Sequence, residues 1–197
     1  ISRLNYLNMD VEDLSDIKQW QIDESEWQVS QDLCLLALRA PNPGLMDDVD
    51  SSKVTKAAQA FGKAMTKRRA YSMNSQGQWL VAAYPTQEWA NAIFKDMPED
   101  QAYTKLYEAI LTAFRVSADN DPAAEWKEHN ATLARQNDFL NAQDYSALHF
   151  KNDLGTDLTV GLVEGHQWGG GAKPALNGVT FNANMPTEES FTTPDRF

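Results

Sequence analysis

Between residues 10 and 28 the apolar side chains Val11, Leu14, Ile17, Trp20 and Ile22 recur among many acids, a rhythm that predicts one or two amphipathic helices facing a core on one side. The run Leu33-Cys34-Leu35-Leu36-Ala37-Leu38 is continuously apolar and ends at Ala40-Pro41-Asn42-Pro43-Gly44, so it reads as a buried strand entering a loop. From Ser51 to about Tyr71, Val54, Ala57, Ala58, Phe61 and Met65 fall on one helical face, with serines placed to cap it. Trp79 to Tyr84 is a second apolar strand, stopped by Pro85. Thr86 is an N-cap for a helix through Phe94, and a further helix over 98–116 places Tyr103, Leu106, Tyr107, Ile110, Leu111 and Phe114 at spacings of three and four.

Two strands that are apolar on both faces and separated by helices argue for a parallel sheet layered with helices, an α/β arrangement. Asp121-Pro122 is an N-cap followed by proline at the first helical position; it starts a connector helix to about Ala142. The texture then changes. Residues 147–151, 157–163 and 178–181 are short strand candidates broken by Gly- and Asn-rich turns. The expected organisation is an α/β domain over 1–118, a connector helix over 119–144, and the start of a β-rich domain over 145–197. Just over 50 residues is too few for that last unit to close a core of its own, and Ile1 is not a Met, so the chain is expected to be truncated at both ends.

Composition narrows the function. Apolar residues make up 42% and charged residues 23%, which is globular. The net charge of -11, from 28 acidic against 17 basic residues, repels a phosphate backbone, so nucleic acid is excluded as a partner; Lys67-Arg68-Arg69 reads as a solvated helix end. No stretch approaches the roughly 20 apolar residues of a membrane span, and no membrane partner is expected. The single cysteine, Cys34, fits a reducing, cytoplasmic compartment and is expected to pack as a small hydrophobe; its run supplies no base or cation to make it a nucleophile.

No HExxH, C-x-x-C, G-x-S-x-G or G-x-x-x-x-G-K-[ST] occurs, and Gly169-Gly170-Gly171 lacks dinucleotide-fingerprint spacing, which leaves a nucleotide-binding function without its phosphate loop. His129, His149 and His166 share no i, i+4 spacing that would present a chelate from one helix. His129 reads as a surface or satisfied interface histidine, and His149 alternates with Leu148 and Phe150 in a strand. His166 follows a strand end, where a polar group can project into a cleft, but a hydrogen-bonded turn histidine is the favoured reading. Glu188-Glu189 are adjacent carboxylates that point to opposite sides, so at most one faces a given site; by spacing alone this is a solvated acidic turn.

The segment Asn184-Met185-Pro186-Thr187-Glu188-Glu189-Ser190-Phe191-Thr192-Thr193-Pro194 resembles the N-x-P-T-E-E-x-F-T-x-P segment of the M29 metalloaminopeptidases, the group of aminopeptidase T, aminopeptidase S and PepS, with the PepS type nearest. Leu148-His149-Phe150, residues 155–162, Glu164-Gly165-His166-x-Trp168-x-Gly170-Gly171 and Asp121-Pro122-x-Ala124-x-Trp126-x-x-His129-Asn130 are similar to family segments too. Before about residue 75 the likeness is broad only. Ser190 is polar where the family has an aliphatic residue, a departure that bears on packing.

The resemblance implies a cytoplasmic, dimeric enzyme that releases N-terminal amino acids from peptides, with an N-terminal domain that helps to enclose the active-site cavity. Glu189 is implied as a metal ligand, Glu188 being the fallback if the register shifts by one. The cofactors implied are divalent metal ions, two of them, from zinc, cobalt, manganese or magnesium. The other family ligands, a second glutamate, two histidines, a tyrosine and an aspartate, are expected downstream of Phe197. This chain alone is therefore expected to bind metal poorly and to be inactive. The rival reading is a non-catalytic α/β interaction or dimerisation module, from which such downstream ligands would be missing.

Overall fold

The computed structural model describes residues 2–195. In chain order the elements are α1 (Arg3–Asn8), α2 (Val11–Ser15), α3 (Gln19–Ser30), β1 (Leu35–Arg39), α4 (Ser51–Ala64), α5 (Thr66–Met73), β2 (Trp79–Ala83), α6 (Gln87–Ile93) and α7 (Glu99–Ala113). After these come α8 (Pro122–Gln143), β3 (Ala147–Lys151), β4 (Asp157–Gly161), β5 (Lys173–Pro174), β6 (Thr180–Phe181) and β7 (Asn184–Met185). They form two compact units. The first holds the residues up to Leu111 together with Pro174–Met185; the second holds Thr112–Lys173 and the residues from Pro186 onward.

In the first unit the expected parallel sheet is present, in the order β1-β2-β7. Leu35 to Arg39 run in register with Trp79 to Ala83, and Val81 and Ala82 pair with Asn184 and Met185. Two helix starts carry side-chain caps: at α4 Asp50, in place of the serines expected, accepts from the Ser52 N–H at 2.8 Å, and at α6 the Thr86 hydroxyl accepts from the Trp89 N–H at 3.2 Å. The helix expected over 51–71 breaks at Met65 into α4 and α5. The core is built largely from small side chains, with Ala57, Ala82, Ala90 and Ala102 buried beside Leu14, Leu106, Ile110 and Tyr71.

Two expectations for the first strand need correcting. Cys34 is exposed, and Leu36 and Leu38 are each 60% exposed, whereas a strand buried on both faces was expected. β1 is an edge strand, paired only with β2 among the described residues, and its side chains alternate between half-buried and exposed. An all-apolar run cannot reveal which of its faces is covered.

The second unit contains α8 and the antiparallel hairpin of β3 and β4, in which Ala147 pairs with Gly161 and Lys151 with Asp157. α8 starts as its sequence dictates: the Asp121 carboxylate accepts from the N–H groups of Ala123 and Ala124, and Pro122 fills the first turn. The helix is more than a connector, because Leu133 and Asn137 are buried and its polar side chains bind the loops of the same unit. The stretch Pro174–Met185, which pattern alone groups with the β-rich region, lies in the first unit, where Phe181 meets Trp79 at 6.4 Å between ring centroids. No helix among the described residues is long and apolar enough to cross a membrane.

Candidate functional site

Glu188 and Glu189 lie in the second unit on irregular chain before Phe191, and that chain is fixed at several points. Gly169 and Phe191 exchange two backbone hydrogen bonds, of 2.9 and 2.8 Å. Beside this bridge the Glu189 backbone passes so close to Gly170 that a Cβ there would stand 2.2 Å from the Glu189 carbonyl oxygen. Only glycine allows that approach. Asn137, buried on α8, donates to the Gly170 carbonyl at 3.1 Å and accepts from the Ser190 hydroxyl at 2.7 Å. The polar Ser190 is thus matched by a polar partner, which satisfies a buried amide inside a helix.

The other side of the segment is held by a charged group. The Arg115 guanidinium donates to both Glu188 oxygens, at 2.7 and 3.0 Å, in the forked geometry that matches a carboxylate. Its carbon lies 5.4 Å from the centre of the Trp126 ring, and the Trp126 indole N–H donates to the Phe114 carbonyl at 2.8 Å. Arg115 also faces the His129 Nδ1 at 3.1 Å. A guanidinium can only donate, so Nδ1 accepts and the proton sits on Nε2, which donates to the Thr187 carbonyl at 2.6 Å. The hydrogen bonds from Arg115 hold the Glu188 carboxyl below its ordinary pKa against the opposing effect of partial burial.

Glu189 is exposed on the neighbouring position, its Oε2 accepting from the Glu188 N–H at 3.0 Å. The two carboxylates therefore have different surroundings: an arginine grips both oxygens of Glu188, while one Glu189 oxygen is oriented by a backbone N–H. An anionic oxygen oriented in this way suits one position in the shell of a divalent ion. Among the described residues no group of three His, Cys, Asp or Glu side chains converges to hold a metal.

The three histidines are separated. His129 is satisfied inside α8 as just described. His149 faces Asp157 across the hairpin at 2.7 Å, beside Lys151 at 3.3 Å from the same carboxylate. His166 closes a turn, its Nδ1 2.9 Å from the Val163 carbonyl, with Gly165 at φ 73°. Sequence reasoning did not reach Arg115 or Asn137, and it met Gly170 only as part of a glycine run and of a family-like segment. Arg115 sits at the end of α7 with nothing in its neighbourhood to mark it, and its partner is 73 positions away.

The fold matches the structure of wild-type AmpT from Thermus thermophilus with a TM-score of 0.86 and 33% sequence identity, over 98% of this chain and 46% of that one. The chain belongs to the M29 metalloprotease family: residues 1–197 match the family described as thermophilic metalloprotease (M29). Among its relatives, aminopeptidase 2 of Geobacillus stearothermophilus is 40% identical over 166 residues, covering 84% of this chain and 40% of that protein. Aminopeptidase AmpS of Bacillus subtilis is 32% identical over 196 residues, covering 100% of this chain and 47% of that protein. The chain thus spans less than half the length of these relatives.

Proposed function

We propose that this chain is the N-terminal part of a metal-dependent aminopeptidase, and that Glu189 is one of the ligands of its catalytic metal ions. The observation that carries the assignment to Glu189 over Glu188 is the guanidinium fork: Arg115 already engages both oxygens of Glu188 in bidentate, charge-assisted hydrogen bonds. Glu189 keeps an exposed carboxylate whose orientation is set by the Glu188 N–H. Two divalent ions, when bound, would supply an acidified water and a polarised scissile carbonyl. The part of this chain is to hold Glu189 in a fixed direction through Gly170, Asn137 and the Gly169–Phe191 bridge.

The substrates on this reading are peptides with a free N-terminus, cleaved one residue at a time by a cytoplasmic homodimer; substrate class, compartment and oligomer rest on the family resemblance. The 197 residues alone are inactive on this reading, since one carboxylate does not retain a catalytic ion. The test is metal content and hydrolysis of aminoacyl-nitroanilides by the full-length protein beside its Glu189→Ala variant. Loss of both supports the reading, and unchanged activity in the variant sinks it.

A further inference from the structure

Arg115 has a backbone conformation that its side chain does not favour. It follows the last turn of α7 at φ 57°, in the left-handed region where helices commonly end on glycine. For a residue with a Cβ this costs on the order of 1 kcal/mol, and such strain tends to collect where function requires it. The conformation is held in place: the Asn120 amide donates to the Arg115 carbonyl at 2.8 Å, and the Arg115 N–H donates to the Thr112 carbonyl at 3.0 Å. From this turn the guanidinium reaches Trp126, His129 and both oxygens of Glu188. Glycine would end the helix at lower cost but would leave Glu188 ungripped.

Resting on the reading of Glu189 as a metal ligand, we propose that Arg115 is a positioning residue for that ligand, gripping Glu188 so that the next carboxylate alone is presented to the metal. Glu188 and Glu189 are adjacent, so the anchor on the first restrains the backbone of the second. The Glu188 N–H that orients the Glu189 carboxylate belongs to the residue that Arg115 anchors, so the grip extends through one peptide unit to the ligand oxygen. His129 adds a second hold one residue earlier, at the Thr187 carbonyl. An unpaired Glu188 would also be a rival ligand one residue from the correct one, and the guanidinium removes that competition.

The experiment is a titration of the metal-free full-length protein with Co²⁺, read by calorimetry and by the visible absorption of the bound ion, together with thermal unfolding. Arg115→Gly relieves the backbone, so its apo form is expected to fold with an unfolding temperature unchanged or raised. Its Co²⁺ affinity is expected to fall about 10–100-fold, the usual cost of losing a group that orients a ligand. Low concentrations of guanidinium ion should restore part of that loss. Glu188→Gln is expected to weaken Co²⁺ binding as well, and the double variant should lose little more than either single one. Affinity within twofold of wild type in Arg115→Gly, or losses that simply add in the double variant, would overturn the proposal. The Glu189→Gln variant separates the two claims: if its affinity is unchanged, the ligand assignment itself fails, whereas if it alone loses affinity, the ligand stands and Arg115 has no positioning role.

Discussion

The carbonyl oxygen of Glu189 lies 2.2 Å from the point at which a Cβ on Gly170 would stand. That atom belongs to backbone, which cannot rotate aside, and the chain two residues further on is tied by the Gly169–Phe191 bridge. Gly170→Ala is therefore expected to destabilise the second unit by about 1–3 kcal/mol, the range for forcing a methyl into filled space. It should also weaken metal binding by the full-length protein, because relief of the clash displaces the Glu189 backbone. Urea unfolding and Co²⁺ titration read the two effects; an unaltered affinity would show that this close approach does not set the ligand.

Leu133 is the most deeply buried large side chain of α8, and its atoms lie 3.2 Å from where a Cβ on Gly171 would stand. Leu133→Ala should cost about 2–5 kcal/mol, lost transfer energy plus the residual cavity. If α8 merely linked two domains, the change would be almost silent in denaturant unfolding.

In the first unit the Tyr71 hydroxyl is buried without a hydrogen-bond partner, and burial pushes its pKa up. It lies 2.1 Å from where a Cβ on Gly77 would stand. Tyr71→Phe removes a buried polar atom at no packing cost and is expected to be neutral or to stabilise by about 1 kcal/mol. Gly77→Ala is expected to destabilise, and Tyr71→Phe should rescue it only in part, because the ring carbons stay within 2.7 Å of the new methyl. Thermal unfolding of the four-member cycle tests both statements.

Acid should remove one cap. The Ser52 N–H, bonded to the Asp50 carboxylate at the start of α4, holds the Asp50 pKa below its ordinary value. A carboxylate depressed in the folded state stabilises fully above its unfolded pKa of about 4, and that contribution is lost as pH falls through the folded value. Asp50→Ala should therefore be less stable than wild type at neutral pH, and the gap should close in acid. A gap that stays constant over that range would assign the effect to helix propensity instead of the cap.

Much of the architecture could be read from local signals, because caps and periodicity act over a few residues. Thr86 and Asp121 mark the starts of α6 and α8, and the apolar runs mark β1 and β2. What could not be read depends on distant partners. β7 is two residues long, has no alternation to display, and exists because Val81 and Ala82 pair with it. The exposure of Cys34, Leu36 and Leu38 was hidden for a similar reason, since coverage of a sheet face is a tertiary property. At the candidate site the T-E-E segment was visible through resemblance, and Trp126, His129 and Asn130 were visible as a separate likeness. That these segments converge, with Arg115 between them, required coordinates: Asn130 accepts from the Ala172 N–H at 3.1 Å, and His129 holds Thr187.

The central claim is that Glu189, and not Glu188, faces the metal. Anomalous scattering from crystals of the full-length protein loaded with Zn²⁺ tests it most directly. The account predicts a peak about 2.0–2.2 Å from a Glu189 carboxylate oxygen, with Glu188 still forked on Arg115. A peak at that distance from Glu188, or no peak near either carboxylate, would contradict it.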